Sequence, residues 1–362
     1  MLLKNCSVLQ ISSGFHSGDA VSNQINYLND IFLEFNCKTF FYNTPNHKFD
    51  FNAVQLNSID EVLNRNFCLI IVHYGGYFPE AEKLPLMSGK KILFYHNFTP
   101  YKYFEKYNGN LAESLKQTSE QLFRINKNFD YAITPSNYNK SSLIEHNFYN
   151  RNIYVVPYLI KCKFSLKNLL KKFFFPCGKP LKILYTGRIE VHKKIENIIE
   201  FFNILVENYY FDCELHLTGP YDENSEYYFE LKRKVKHSGK VFFHGRKDYS
   251  EIYDYFNMAD IYINLSEHEG FCIPVIEAIS SFLPVISNDI PAIRENTDGS
   301  ILFVNNEDYH SISKMVIKIK NNYLYRIWII IRQLKILDKF VFSEIKHKIK
   351  TLLFNLTIDN KK

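Results

Sequence analysis

The 362-residue sequence has none of the cysteine patterns that mark a zinc site, a redox motif or a disulfide scaffold. Its seven cysteines are scattered along the chain, and none belongs to a CxxC pair. An odd number of scattered thiols is typical of a reduced intracellular protein. The histidines and carboxylates also lack metal-ligand spacing, so we predict no metal requirement and no resident cofactor.

Long hydrophobic runs are absent as well. The longest apolar run near the end of the chain, Ile327–Ile331, is five residues long, whereas a membrane-spanning helix needs about 20. Residues 1–5 lack the pattern of a signal peptide. We therefore expect a cytoplasmic protein that is neither secreted nor integral to a membrane.

Several motifs of phosphate, nucleophile and nucleic-acid chemistry are missing. The chain has no Walker loop and no GxSxG elbow, and the glycine loop 14–20 does not match GxGxxG. No arginine-rich tract or zinc-finger spacing accompanies the net charge of +6, so we assign that charge to phosphorylated substrates or anionic lipid. Two basic aromatic segments, 161–175 and 346–356, are candidates for lipid contact; a linker and a packed terminal helix are the alternative interpretations.

What the sequence does contain is a repeated alternation of strands and helices. Its length fits two domains of about 150 to 200 residues, and an apolar content of 46% fills both cores. The alternation runs from Ser7 to Val156, breaks at a turn cluster around Pro176–Pro180, and restarts at Lys182. We predict an α/β protein with two Rossmann-like, doubly wound parallel sheets facing across a cleft. The predicted boundaries are 1–160, a linker 161–180, a second domain 181–335 and a helical segment 336–362.

Two carboxylates, Glu269 and Glu277, frame the most informative segment of the second half. An apolar strand precedes Glu269, and an apolar helix contains Glu277. A loop that enters a helix offers unpaired N–H groups and a positive dipole end, which suit a phosphate. Arg188 and Lys193 follow the first strand of this half, and two cations near one strand end suit a diphosphate. A solvated surface pair is the alternative for these cations, and the neighbouring glutamates favour the functional interpretation.

Other strand ends carry weaker signals. His244 and Gly245 end a strand of the second half. The backbone there could bind the edge of a nucleobase, and a simple turn is the alternative interpretation. In the first half Gly18 opens a helix, and such glycine turns are common. Four candidates that would face the cleft follow later strands: His96, Asn97, Thr99 and Ser136. A structural alternative exists for them, such as a loop histidine or a plain helix cap.

Taken together, these residues resemble a known family. The set Gly187-Arg188…Lys193, His244-Gly245 and Glu269-Gly270-Phe271…Glu277 is similar to the nucleotide-sugar domain of retaining glycosyltransferase family four, which has the GT-B fold. The loops at Gly18 and at 95–100, with Ser136, are similar to the acceptor-side half of bacterial members that build surface polysaccharides. The resemblance covers essentially the whole chain and implies a C-terminal helix that returns to the N-terminal domain.

The resemblance implies a role for each matching residue. Arg188 and Lys193 would hold the donor diphosphate, Glu277 the ribose, and His244 with Gly245 the donor nucleotide. Glu269, Gly270 and Phe271 would face the transferred sugar, with His96 near it and Gly187 and Gly18 close to the diphosphate. Asn97, Thr99 and Ser136 would belong to the acceptor side. A glycine usually follows the motif lysine in this family, whereas Lys194 stands there; the register with Ile198 and Ile199 favours Lys193 as the contact.

The implied activity is metal-independent transfer of a hexose from a UDP- or GDP-linked donor, with retention of configuration. The acceptor would be a saccharide or a lipid-linked saccharide in surface polysaccharide synthesis, such as capsule or lipopolysaccharide, at the inner face of the membrane. Two alternatives stay open: a catalytically inactive GT-B protein that binds saccharide or a partner, and a two-domain sugar-nucleotide epimerase.

Overall fold

A computed structural model describes residues 6–16, 18–44, 47–162, 169, 172 and 179–358. The chain divides into two compact units. The first comprises Met1–Ile160 and Phe340–Lys362, and the second comprises Lys161–Lys339. Each described sheet is parallel throughout, which confirms the predicted pair of doubly wound domains.

The described part of the first unit contains a seven-stranded sheet in the order β3-β2-β1-β4-β5-β6-β7. Its strands are β1 (Ser7–Ser12), β2 (Lys38–Asn43), β3 (Val54–Leu56), β4 (Asn66–Tyr74), β5 (Ser88–Tyr95), β6 (Tyr131–Thr134) and β7 (Ile153–Val155). Its α-helices before the second unit are α1 (Ala20–Glu34), α2 (Ile59–Leu63), α3 (Gly109–Ile125) and α4 (Asn137–Glu145). The central strands are buried on both faces, as parallel strands covered by helices must be.

Short polar side chains begin the helices of this unit. The Asp19 carboxylate accepts a hydrogen bond from the Ser22 N–H at the start of α1, and the Ser136 hydroxyl does the same for Asn139 at the start of α4. Each cap satisfies an N–H group that has no partner within its helix. The caps therefore fix where the chain turns from a strand end into the next helix.

The second unit is built on a six-stranded sheet, within the described residues, in the order β10-β9-β8-β11-β12-β13. Its strands are β8 (Leu181–Thr186), β9 (Cys213–Thr218), β10 (Val241–Phe243), β11 (Ile261–Asn264), β12 (Val285–Asn288) and β13 (Leu302–Val304). Its α-helices between residues 179 and 339 are α5 (Ile195–Tyr209), α6 (Glu226–Lys234), α7 (Tyr249–Met258), α8 (Ile273–Ser280), α9 (Pro291–Thr297), α10 (Tyr309–Asn321) and α11 (Tyr323–Leu334).

The last helix, α12 (Phe342–Ile358), belongs to the first unit, as expected from the resemblance. The Lys90 ammonium donates to the Leu356 carbonyl, and Lys346 and Lys350 both form ion pairs with Glu34 of α1. Two lysines of the basic segment 346–356 are therefore neutralised by a carboxylate of their own unit.

The predicted linker 161–180 lies largely outside the described residues. One of its described members, Lys172, is buried in the second unit, where its ammonium donates to the Asn257 carbonyl at 2.7 Å. The region from Ser311 onward was expected to be helical throughout. Over residues 311–358 it forms three α-helices, which are separated at Asn322 and by a 3-10 segment at Lys335–Phe340.

Three neighbouring strands of the second sheet end in glycines that pack against one another. Gly187, Gly219 and Gly245 follow β8, β9 and β10 and all have positive φ. The Gly219 N–H donates to the Gly245 carbonyl at 3.0 Å. A Cβ on Gly219 would lie 1.9 Å from the Gly187 carbonyl oxygen, so no side chain fits there. This close packing shapes the sheet edge from which the candidate site residues emerge.

Candidate active site

The candidate site lies at the carboxyl ends of β8 and β11, which are neighbours in the second sheet. The chain leaves β8 through Gly187 and Arg188 and reaches α5 at Ile195. It leaves β11 through a loop that carries Glu269 and enters α8 at Ile273. Because parallel strands end at the same edge, residues far apart in sequence meet here.

The centre of the site is an ion pair between Lys193 and Glu269. Lys193 Nζ lies 2.7 Å from Glu269 Oε2, and only 13% and 10% of the two side chains are exposed. The other carboxylate oxygen, Oε1, accepts hydrogen bonds from Ser266 Oγ at 2.8 Å and Asn264 Nδ2 at 3.4 Å. The pair is thus held on both sides, with the ammonium fixed at the strand edge.

The charge of Glu269 is stabilised by its surroundings. Burial alone raises the pKa of this carboxyl, but the Lys193 ammonium and the hydrogen bonds from Lys193, Ser266 and Asn264 together bring the pKa below its ordinary value. The neighbouring His268 stays neutral near pH 7, because burial lowers its pKa to about 4. The site therefore contains a fixed, ionised Lys–Glu pair beside a neutral imidazole.

Lys194 differs from Lys193 in conformation and in contacts. It has φ 53° and ψ 46°, the left-handed region that favours glycine, and it precedes the first residue of α5. Its ammonium lies 3.3 Å from Glu267 and 3.7 Å from Glu196, whereas Lys193 contacts Glu269. The backbone conformation gives a physical reason for a glycine at this position in similar sequences.

Arg188 stands at the end of β8 but outside the Lys193–Glu269 pair. Its side chain is 64% exposed, and Nη1 lies 3.3 Å from Glu190 Oε1. Its backbone carbonyl accepts a hydrogen bond from the Tyr185 hydroxyl at 3.1 Å. The backbone of Arg188 is thus anchored, while its guanidinium keeps access to solvent and to ligands.

The start of α8 has an unusual local structure. Cys272 precedes the helix with φ 67°, and its sulfur accepts a hydrogen bond from Asn264 Nδ2 at 3.0 Å. The carbonyl of the buried Phe271 accepts from Asn296 Nδ2 at 2.6 Å. These side-chain contacts hold the Glu269-Gly270-Phe271 loop against the helix start, where backbone N–H groups suit an anion.

Glu277 lies in the following turn of α8 and is 6% exposed. Burial raises its pKa to about 7. Among the described residues, we find no hydrogen-bond donor to its carboxylate. A carboxyl that is buried without a partner destabilises its ionised form, and a ligand that supplies hydroxyl donors would relieve this cost.

His244 and Gly245 lie at the end of β10 on the same sheet edge. His244 Nε2 is 3.0 Å from His216 Nδ1, and the rings stack with centroids 5.2 Å apart. His216 Nε2 in turn contacts Glu214 at 3.2 Å. Burial and the neighbouring His216 lower the pKa of His244 to about 4, so the ring is neutral near pH 7.

The predicted residues of the first unit occupy strand ends of the other sheet. His96 is buried at the end of β5, with Nε2 at 3.0 Å from His73 Nδ1 and Nδ1 at 2.8 Å from the Tyr158 hydroxyl. His73 Nε2 contacts Gln10 Oε1 at 2.9 Å, and Gln10 Nε2 donates to the Ile25 carbonyl. Both His96 ring nitrogens are thus engaged by protein groups, and its role near a sugar stays a prediction.

Four further candidates in this unit stabilise loops or remain accessible. Asn97 has φ 67° and donates to Asn139 Oδ1 at 2.8 Å. Ser136 is buried and caps α4, which is the alternative role considered from the sequence. Thr99 is half-buried, and Gly18 has φ 87° with open space where a side chain would lie.

The second unit thus brings Lys193, Glu269, Gly270 and Phe271 together at one edge, with Arg188 and Glu277 nearby. Asn264 and Ser266, whose side chains hold Glu269, were not among the residues predicted from the sequence. Asn264 is the last residue of β11 and Ser266 follows two residues later. These polar residues at the end of an apolar stretch are the signal that could have identified them. Within the residues that the structure describes, no group of three His, Cys, Asp or Glu residues is placed to hold a metal ion.

Comparison with known proteins adds a family match over part of the chain. Residues 168–330, less than half of the chain, match the family model described as "Glycosyl transferases group 1". One curated relative, protein CapJ of Staphylococcus aureus, is 29% identical over 133 residues. That alignment covers 36% of this chain and 31% of CapJ, so the chain matches about a third of the relative's length.

Solved structures resemble the chain over almost its full length. A sucrose-phosphate synthase from Thermosynechococcus elongatus has a TM-score of 0.76 at 14% identity, covering 98% of this chain and 100% of that one. HepE from Anabaena, in complex with UDP and glucose, has a TM-score of 0.73 at 12% identity, covering 97% and 100%. At these identities the likeness shows the fold, and it confirms the predicted GT-B fold.

Proposed function

We propose that the protein is a retaining glycosyltransferase that moves a hexose from a nucleotide sugar to a saccharide or lipid-linked saccharide. The observation that carries this proposal is the fixed Lys193–Glu269 pair at the edge where α8 begins, with Arg188 on the adjoining strand end. This arrangement supplies cations and helix-start N–H groups to one place, as a departing diphosphate requires.

In the proposed reaction, the bond between the anomeric carbon and the diphosphate oxygen breaks, and the nucleoside diphosphate leaves with the electron pair. Lys193, Arg188 and the helix-start amides stabilise the growing negative charge, and such stabilisation usually makes a large contribution to catalysis. The acceptor hydroxyl oxygen forms the new bond on the same face, and its proton passes to the departing phosphate oxygen. No strong protein base is needed for this step.

The carboxylates have separate roles in this proposal. Glu269 holds the Lys193 ammonium in place before the donor arrives and faces the transferred sugar. Glu277 accepts hydrogen bonds from the ribose hydroxyls, which supply the partners that its buried carboxyl lacks. Because those donors favour the ionised carboxylate, donor binding should release a proton from Glu277 near neutral pH.

Two comparisons support a UDP-linked hexose donor. The HepE structure holds UDP and glucose, and a similar E. coli structure, described as trehalose-6-phosphate, is bound with UDP-2-fluoro glucose. The latter has a TM-score of 0.66 at 11% identity over 97% of this chain and 99% of that chain. A GDP-linked donor remains within the proposal. The name of CapJ supports an acceptor in capsule or related surface polysaccharide.

We also propose that transfer needs no metal and takes place in the cytoplasm at the inner face of the membrane. No helix in the described part of the chain combines the length and apolarity needed to cross a membrane. Transfer assays with and without a chelator test the metal requirement: equal rates support the proposal, and loss of activity on chelation contradicts it.

A donor screen tests the function. Purified protein is mixed with UDP-, GDP-, ADP- and CMP-sugars, and thermal unfolding is measured for each. A donor at about 100 times its dissociation constant should add about 2.7 kcal/mol of stability. The stabilising donor is then incubated with saccharide acceptors, and the anomeric configuration of the product is read by NMR. Retention supports the proposal, inversion contradicts the mechanism, and isomerised donor without acceptor would identify an epimerase. If no donor stabilises the protein and none releases its nucleotide, the result would favour a catalytically inactive protein.

A further inference from the structure

Helix α11 (Tyr323–Leu334) is apolar on two opposite faces. Its inner face packs into the second unit through the buried Ile329 and Ile330, and Gln333 hydrogen-bonds to the backbone of Leu283 and Val285. Its outer face carries Leu324, Trp328 and Ile331, which we call the outer stripe and which are 63%, 52% and 53% exposed. Because these residues are four and three positions apart, they share one side of the helix. Packing in the core accounts for the apolar residues of the inner face, but it does not account for those of the outer stripe.

Cations surround the outer stripe. The Lys318 ammonium lies 4.1 Å from the centre of the Tyr325 ring, and that ring stacks on Trp328 with centroids 5.9 Å apart. The Arg332 guanidinium lies 5.4 Å from the centre of the Trp328 ring. Lys335 is exposed one turn beyond Ile331. Long basic side chains at the rim of an apolar stripe suit a surface with apolar depth and negative charge.

The charge around the stripe has one sign over a long segment. Residues 309–337 contain six lysines and arginines and no aspartate or glutamate. Arg326 is buried, and Lys320 and Arg332 are half-buried; the Arg332 guanidinium also donates to the Gly299 carbonyl. The other three, Lys314, Lys318 and Lys335, are exposed. A segment of this kind attracts an anionic surface.

We propose that the outer stripe of α11 docks onto an anionic lipid surface. The helix would lie in the plane of the headgroups, with Leu324, Trp328 and Ile331 inserted and the exposed Lys318 and Lys335 against lipid phosphates. Aromatic rings with a polar edge favour this interfacial level. A second copy of the chain is a poorer occupant, because it would bring two sets of rim cations together.

This surface differs from the two segments that the sequence suggested for lipid contact. Lys346 and Lys350 of the segment 346–356 form ion pairs with Glu34 of their own unit. Most of the segment 161–175 lies outside the described residues. The stripe on α11 instead combines exposed apolar groups with surface cations at one place. The proposal does not depend on the nature of the transferred sugar.

The test uses Trp328, the only tryptophan in the sequence, as its own reporter. The full-length protein is titrated with phosphatidylcholine vesicles that contain phosphatidylglycerol, and with vesicles of phosphatidylcholine alone. We expect a blue shift of the emission, protection from acrylamide and quenching by brominated lipid with the anionic vesicles only. Added salt should weaken binding, because it screens the attraction between the cations and the lipids.

Variants locate the contact. Lys318→Gln and Lys335→Gln should each weaken partitioning about fivefold, since a lysine near an anionic membrane contributes about that factor. Ile331→Ser and Leu324→Ser should weaken it in vesicle sedimentation and reduce the blue shift. Phe229→Ser is the matched control, because Phe229 is 50% exposed on α6 of the same unit, away from the stripe. Circular dichroism melting confirms that each variant is folded.

Several results would overturn the proposal. One is absence of binding to anionic vesicles, and another is sedimentation with vesicles while Trp328 stays accessible to acrylamide. Equal partitioning of Ile331→Ser and wild type would also overturn it. A blue shift that depends on protein concentration without lipid, with dimers in sedimentation velocity, would assign the stripe to self-association instead.

Discussion

Removing the Lys193 ammonium should destabilise the second unit by leaving a carboxylate without its counter-ion. In Lys193→Met, Glu269 would keep its hydrogen bonds from Ser266 and Asn264 but lose the ammonium 2.7 Å away. Breaking a buried pair by removing one partner costs about 3 to 5 kcal/mol. Because Ser266 and Asn264 would still stabilise the carboxylate, we expect the loss of unfolding free energy to lie near the lower end of this range, at about 3 kcal/mol.

The double variant Lys193→Met/Glu269→Gln should recover most of this loss. The substituted amide side chain would be neutral, and its oxygen would still accept the hydrogen bonds of Ser266 and Asn264, so no unpaired charge remains. We expect the double variant to lie within about 1 kcal/mol of wild type, a coupling of about 2 kcal/mol or more. Additive losses from the two single variants would refute this interpretation of the pair.

The pH dependence of the loss gives a second readout. In the wild type the pKa of Glu269 is lowered, so its contribution to stability is present above its ordinary pKa and is lost on acidification through the folded value. Without Lys193, burial dominates and should raise this pKa, which reverses the sign. The destabilisation by Lys193→Met should therefore be larger at about pH 7 than at about pH 5.

Urea unfolding followed by the fluorescence of Trp328 measures these quantities. Trp328 is the only tryptophan in the chain and belongs to the second unit, so its signal reports that unit. Lys236→Met is the matched control, because its ammonium pairs at 3.0 Å with Glu207 at the surface, with the side chains 56% and 36% exposed. We expect that control to change stability by less than about 1 kcal/mol.

Other parts of the structure give further predictions. Glu277→Gln should stabilise the ligand-free protein above neutral pH by up to about 3 kcal/mol, because the wild type loses stability as this carboxyl, with its raised pKa of about 7, ionises. Urea unfolding across pH checks this, and a difference between variant and wild type that does not change with pH contradicts it. The same variant should bind the donor more weakly by calorimetry. Gly219→Ala should destabilise the second unit by about 2 kcal/mol or more, since it combines positive φ with a backbone clash. A melting temperature equal to that of the wild type would contradict this prediction. Tyr158→Phe should cost about 1 to 3 kcal/mol by leaving the buried His96 Nδ1 without its hydrogen-bond partner, and an unchanged unfolding midpoint would contradict that. Lys194→Val should lower stability by about 1 to 2 kcal/mol while Lys194→Gly should not, because only glycine takes the left-handed conformation freely.

Hydrophobic patterning was sufficient to predict two doubly wound parallel sheets and to place the candidate residues near strand ends. Long apolar runs such as those around Leu9 and Ile263 are buried on both faces, and they identify strands without ambiguity. The helix caps at Asp19 and Ser136 are local signals, and both lie where the chain enters a helix. Elements with weaker patterns were missed, including β3 at the sheet edge and the amphipathic helix α3, whose many polar residues resemble a loop.

Geometry within the site was harder to predict than its location. The sequence places Lys193 and Glu269 on neighbouring strand ends, but the support from Asn264 and Ser266 depends on how the β11 loop folds back. The left-handed conformations of Lys194 and Cys272 are likewise set by tertiary contacts, because neither residue type favours that region. His96 was expected to face a ligand, and its engagement with His73 and Tyr158 follows from packing between strands that are distant in sequence.

The most direct test is the transfer rate of Arg188→Ala, measured with the donor identified by the screen. Arg188 is exposed and its ion pair with Glu190 lies at the surface, so its loss should leave the fold intact and remove stabilisation of the departing diphosphate. We expect kcat/KM to fall roughly 30- to 1,000-fold, equivalent to about 2 to 4 kcal/mol, while the exposed Arg233→Ala on α6 keeps wild-type kinetics. Equal rates for Arg188→Ala and wild type would contradict the proposed role of this strand edge in sugar transfer.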